Sequence, residues 1–169
     1  MVTKRLQALQ EKREVWESHW QEVADYVAPR KADVTKKRTD GDKRTELLFD
    51  ATALHAAELL SASLHGMLTN PATPWFSLGF KDPALNSDDE AREWIEGITE
   101  TMYGAFNRSN FAEAIHELYH DLVVFGTGVL FIEQDPEGGV RFTTRHIGEC
   151  YVSEDAYGRI DTVYRKFTM

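Results

Sequence analysis

Apolar and polar positions along this chain follow a helical period first and a strand period afterwards. In residues 3–27, Leu6, Leu9, Trp16, Trp20, Val23 and Val27 recur three, four or seven apart. That spacing predicts one helix with a narrow, Trp-rich stripe, which needs a second helix or a neighbouring subunit to dock on. Pro29 ends it. A second helix is predicted from residue 46 or 50 to 69. Between Ala51 and Leu68, Ala, Leu and Ser dominate and Glu58 is the lone Asp, Glu, Lys or Arg, so burial on several sides is expected. Asn70-Pro71 closes it. Residues 74–80 read as a short extended piece, with Trp75 and Phe76 as its anchor. A third helix follows Ser87. Its spacing to Glu90 fits a capping box, and Asp88 and Asp89 suit the helix dipole. Trp94 or Ile95, Ile98, Met102 and Phe106 form its apolar face. A fourth helix starts at Ser109 or Asn110 and buries Phe111, Ile115, Leu118, Leu122 and Phe125.

Beyond Gly126-Thr127-Gly128 the period becomes two. Residues 129–134 and 140–146 read as a hairpin around Asp135-Pro136-Glu137-Gly138-Gly139. Residues 149–153 form a third extended piece, and 154–158 turn into a last strand. There Ile160, Val163 or Tyr164, and Phe167 are the strand formers. This alternation continues to Met169. It reads as a sheet whose further partners lie elsewhere, and the chain as the N-terminal piece of a larger protein. The expected fold class is α+β, one domain over residues 1–169: N-terminal helices packed with a C-terminal antiparallel β-meander.

Charge sharpens the picture. The 169-residue chain carries a formal net charge of −9, against the character of a general DNA binder. Acids crowd residues 87–121. Residues 28–45 are the exception, a flexible basic loop with almost no apolar residue. Lys36, Lys37, Arg38, Lys43 and Arg44 are its candidate contacts to DNA or an acidic partner; a solvated loop is the plainer reading. Trp16, Trp20, Trp75 and Phe76 are candidates for a subunit interface, with a core role as the alternative. No apolar run approaches the roughly 20 residues of a membrane-spanning helix. Cys150 stands alone, so no intrachain disulfide forms, and a strand cysteine is expected rather than a nucleophile.

One motif points to chemistry. His116-Glu117-Leu118-Tyr119-His120 matches H-E-x-x-H on a predicted helix, where two imidazoles one turn apart can bind zinc beside a general base. The alternative function is therefore a zinc-dependent hydrolase built on His116, Glu117 and His120. Against it, Val123 and Gly126 stand where the extended motif needs Gly and His. The acids available as a third ligand (Glu133, Glu137, Glu149, Glu154) fall in hairpins. Both histidines also point away from the predicted buried stripe, which makes a solvated face the stronger reading. Gly126-Thr127-Gly128 runs helix to strand, the reverse of a phosphate-cradling loop. His55 and His65 lie ten residues apart, on nearly opposite helix faces. No cofactor, metal or catalytic residue is expected.

Three stretches carry a family resemblance: 50–57 running through 60–71 in the small-residue helix; Pro74-Trp75-Phe76-Ser77-Leu78 directly after it; and Asn107-Arg108-Ser109-Asn110-Phe111 with 122–132 and the turn at 155–160. Trp16 and Tyr26-Val27-Ala28-Pro29 fit the usual beginning. Over nearly its whole length the chain resembles the podophage head-to-tail connector, or portal, proteins. The resemblance implies the wing-like outer part of a twelve-subunit ring at one capsid vertex of the virion, assembled in the host cytoplasm. DNA enters through that ring, driven by terminase, and leaves through the tail. The implied partners are further copies of the chain, terminase, capsid and tail proteins and the passing DNA, with no membrane. The family's stem, clip and crown would lie beyond this chain.

Overall fold

The computed structural model describes residues 2–39, 41–136 and 138–166. Helix α1 spans Val2–Val27, α2 Thr52–Leu68, α3 Pro83–Asn86, α4 Asp89–Arg108 and α5 Phe111–Phe125. Strands β1 (Val129–Gln134) and β2 (Val140–Arg145) pair antiparallel, as do β3 (Cys150–Glu154) and β4 (Ile160–Arg165). The α+β class is as the pattern predicts. Among the described residues, no helix is long and apolar enough to cross a membrane.

The strands depart from a continuous meander. They form two separate two-stranded sheets, registered Val129↔Arg145 to Gln134↔Val140 and Cys150↔Arg165 to Glu154↔Ile160. The break has a local cause. A 3-10 turn at Ile147–Glu149 buries Ile147 in the core beside Ala24, Ala32 and Phe125. His146 Nδ1 accepts the Gly148 N–H at 3.0 Å, so its neutral ring carries the proton on Nε2, which donates to Lys31 O at 2.9 Å. The chain is thereby pulled out of the first sheet before it starts the second. Phe167 and the end of the expected last strand lie outside the described residues, as does Glu137 of the first turn.

Gly126 and Gly128 are set by geometry. Gly126 ends α5 in the left-handed region at φ 71, and its N–H returns to Leu122 O at 3.0 Å. A Cβ at Gly128 would stand 2.5 Å from Leu118 Cδ1 and 3.2 Å from Leu118 O, so just before β1 the chain passes α5 closely enough that a side chain there requires Leu118 to shift.

Several expected faces change. In α1 the most buried positions are Arg13, Gln21, Ala24 and Asp25, while Trp16 stays 59% exposed. The apolar stripe therefore guides α1 to its site, and polar side chains fix it there. In α2 only Ala57 and Ser61 are buried; Leu59 and Met67 are 71% and 82% exposed. The all-round apolar pattern does not translate into burial within this chain. The cap of α4 is Asp88, whose carboxylate accepts the Ala91 N–H at 2.9 Å, and Ser87 instead closes α3. Asn110 begins α5 without capping it. Its amide pairs with the Phe142 backbone at 2.7 and 2.9 Å and ties α5 to β2.

Candidate functional site

The basic loop is held by carboxylates and one amide. Gln21 Oε1 accepts the backbone N–H groups of Val34, Thr35 and Lys36 at 3.2, 2.9 and 3.1 Å. Its Nε2 donates to Ala32 O at 2.6 Å and to Asp25 Oδ1 at 3.0 Å. Asp25, buried, takes Lys36 Nζ at 2.6 Å and Arg38 Nη2 at 3.3 Å. Asp33 pairs with Arg38 and Arg44 at 3.4 and 2.7 Å. Three of the five candidate cations are therefore neutralised within the chain. Among the described residues Lys37 and Lys43 have no ion-pair partner. The preceding turn is fixed in the same way: Lys31 Nζ reaches Asp121 at 2.6 Å and Glu117 at 3.0 Å.

Burial opposes ionisation of Asp25, but hydrogen bonds from Lys36 and Arg38 outweigh it and hold the carboxyl below its ordinary 3.8. A carboxyl lowered on folding contributes stability above pH 3.8 and loses it as pH falls through the lowered value. Urea midpoints at falling pH should therefore drop more steeply for the native chain than for Asp25→Asn, and parallel curves would contradict this. Asp121 is the reverse case. At 1% exposure, burial raises its carboxyl above 3.8 despite Lys31, so its ionisation costs stability as pH rises through that raised value.

The H-E-x-x-H residues are brought together differently from a zinc site. His116 and His120 do not form a solvated face; they turn toward α2. The His116 ring lies 5.6 Å from that of His65, and His120 Nε2 is 3.7 Å from Glu58. The stripe assumed for α5 is rotated, since Ala114, Ile115, Tyr119, Asp121 and Phe125 are buried and Leu122 is 40% exposed. Glu117, the would-be base, is engaged with Lys31. Burial, then the charge of His116, lowers the pKa of His65. Among the described residues no group of three or more His, Cys, Asp or Glu is placed to hold a metal ion. Cys150 is buried and its thiol is pushed up mainly by that burial, which suits a core cysteine.

The four aromatic candidates separate into two places. Trp16 and Trp20 line an apolar groove of about 490 Å³ between α1 and the start of β3, with Phe125 and Tyr151. Trp20 packs on the core and Trp16 stands at the open side. Trp75 and Phe76 join an intrachain cluster. Trp75 stacks on Phe111 at 5.6 Å, and Phe76 on Tyr103 at 4.4 Å. The Tyr103 hydroxyl accepts the N–H of both Trp75 and Phe76 and donates to Phe76 O, each at 2.7 Å. Tyr103→Phe keeps the rings but leaves those three backbone groups without their partner. A loss of about 2 kcal/mol is expected in urea denaturation; an unchanged midpoint would contradict it.

Composition and period did not reveal Arg13, Gln21, Tyr103 or Asp121 as organising residues. Their only trace in the sequence is a polar residue falling on or beside an apolar stripe.

The whole chain, residues 1–169, matches the family described as Bacteriophage head to tail connecting protein. It is 33% identical over 168 residues to the "Probable portal protein" of Bordetella phage BPP-1 and 31% identical over 169 residues to the "Portal protein" of Salmonella phage epsilon15. Each alignment covers 99% of this chain and 30% of the relative. The chain thus spans about a third of the length of these relatives. With a match over its full length and two portal proteins among its relatives, the chain belongs to the bacteriophage head-to-tail connecting protein family.

Proposed function

We propose that the chain is a structural part of a phage portal, contributing to the outer, wing-like region of the ring through which DNA is packaged and ejected. The full-length family match carries this reading. The fold is compatible with it: a helical body braced by buried polar ties, with several exposed apolar surfaces left for neighbours. Its partners on this reading are further copies of itself, terminase, capsid and tail proteins, and DNA that passes without being gripped. Its place is the portal vertex of the virion, after assembly in the host cytoplasm. Of the five candidate cations Lys37 and Lys43 are, among the described residues, the ones left for DNA or an acidic partner, and of the four candidate aromatics Trp16 is the one left open for a subunit contact.

We read no catalytic step into the chain. Glu117 bound to Lys31, and histidines turned into a helix seam, do not make a water-activating site. Interrupting the gene in the phage that encodes it should leave capsids without packaged DNA, restored by supplying the protein in trans. DNA-filled particles formed without it would overturn the reading.

A further inference from the structure

Helix α4 is twenty residues long and buries none of them. Its N-terminal half is anchored by the stack of Trp94 on Phe80 at 6.0 Å, yet Trp94 remains 62% exposed. Glu90, Glu93 and Trp94 share one side of the helix, with Gly97 beside them. A Cβ at Gly97 would meet no atom within 4 Å, so another surface can approach the backbone there. Arg92 pairs with Asp89 and Glu96, whereas Glu90 and Glu93 have no ion-pair partner among the described residues. This is an acidic ridge with an aromatic crest.

The matching hollow lies at the other end of α4. Arg108, Ser109, Val140 and Arg141 line a depression of about 580 Å³ where α4 ends against the β1–β2 hairpin. Asp135 is the one acid among its described lining residues. Among the described residues neither Arg108 nor Arg141 has an ion-pair partner, and Glu133, opposite Arg141 in the ladder, is not bonded to it. Arg108 follows Glu93 by fifteen positions, about 22 Å along a helix, so ridge and hollow cannot meet within one molecule.

We infer that the Glu90–Glu93–Trp94 ridge of one copy docks in the Arg108–Arg141 hollow of the next. The contact rests on the portal reading and supplies what a ring needs, two different complementary patches on one chain. A head-to-tail contact of that kind propagates until the rotation closes it. Opposite charge chooses the register and the exposed Trp94 supplies the apolar anchor.

The test uses two reversals, Glu90→Arg/Glu93→Arg and Arg108→Glu/Arg141→Glu, followed by sedimentation at low and high salt. The native chain should self-associate, more weakly as salt rises. Each variant alone should associate about a hundred-fold more weakly, because like charges now face each other. An equimolar mixture of the two should associate again, since each ridge finds a hollow of opposite sign. Arg141→Glu alone, at an exposed strand position, repeats the test if the double variant does not fold. Association unchanged by either reversal, or a mixture that does not recover, overturns the contact. So does DNA retention lost with the arginines while self-association persists, which would mark the hollow as a phosphate site. A native chain that stays monomeric also overturns it. The portal reading is judged separately, by the particles formed without the gene.

Discussion

Arg13→Ala lowers the unfolding free energy by about 3 kcal/mol, the size expected when a buried hydrogen-bonded charge is removed. Arg13 is 9% exposed and uses all five of its N–H donors. Nε and Nη2 grip Glu17 at 2.7 and 2.6 Å. Nη1 donates to Ile147 O at 3.1 Å and Cys150 O at 2.6 Å, and Nη2 to Gly148 O at 2.9 Å. The guanidinium also lies 3.6 Å over the Tyr151 ring. Alanine leaves Gly148 O and Cys150 O without the guanidinium donor, leaves Ile147 O with the Cys150 N–H alone, and leaves Glu17 uncompensated. Arg13→Lys should recover little, because one ammonium cannot reproduce the planar fork. Urea or thermal unfolding measures both. A loss below about 1 kcal/mol for Arg13→Ala would contradict the role given to it.

Gln21→Ala should cost about 2 kcal/mol and act locally. Its carboxamide oxygen collects three consecutive backbone N–H groups, and its nitrogen fixes Ala32 O and Asp25. Removing it leaves the loop held by the Lys36, Arg38 and Arg44 ion pairs, which are partly exposed and salt-sensitive. Amide hydrogen exchange is the direct readout. The amides of Val34, Thr35 and Lys36 should speed up well beyond those of α5. Gln21→Glu keeps the acceptor but sets a second carboxylate beside Asp25, so it should also destabilise. Exchange at 34–36 that matches the native chain would contradict this account.

The elements with a clean period were legible in the sequence. α1, α5 and the two hairpins lie within a few residues of where spacing, Pro29 and the turn residues put them. What spacing could not show is which polar residues on an apolar stripe are turned inward. Arg13, Gln21 and Asp121 look like surface residues until the backbone groups they serve are in place. The face of α5 was misplaced for the same reason. The helix is fixed by Asp121 meeting Lys31 and by Asn110 meeting β2, and Leu122 is displaced toward solvent. For α2, sequence read an apolar helix as a buried one. Within this chain Leu59, Leu60, Met67 and Leu68 remain open, while Leu54 and Leu64 are half-buried. The H-E-x-x-H pattern is a match of letters: its Glu must be free to activate water and its histidines open to a metal, and here Lys31 pairs with Glu117 while His116 and His120 face α2.

The place we propose for this chain is one vertex of a phage particle. Electron microscopy of particles labelled with an antibody to it tests that most directly, using tail-less heads in which the portal vertex is accessible. The account predicts label at a single vertex of each head. Label distributed over the whole shell, or none on heads that contain DNA, would contradict it.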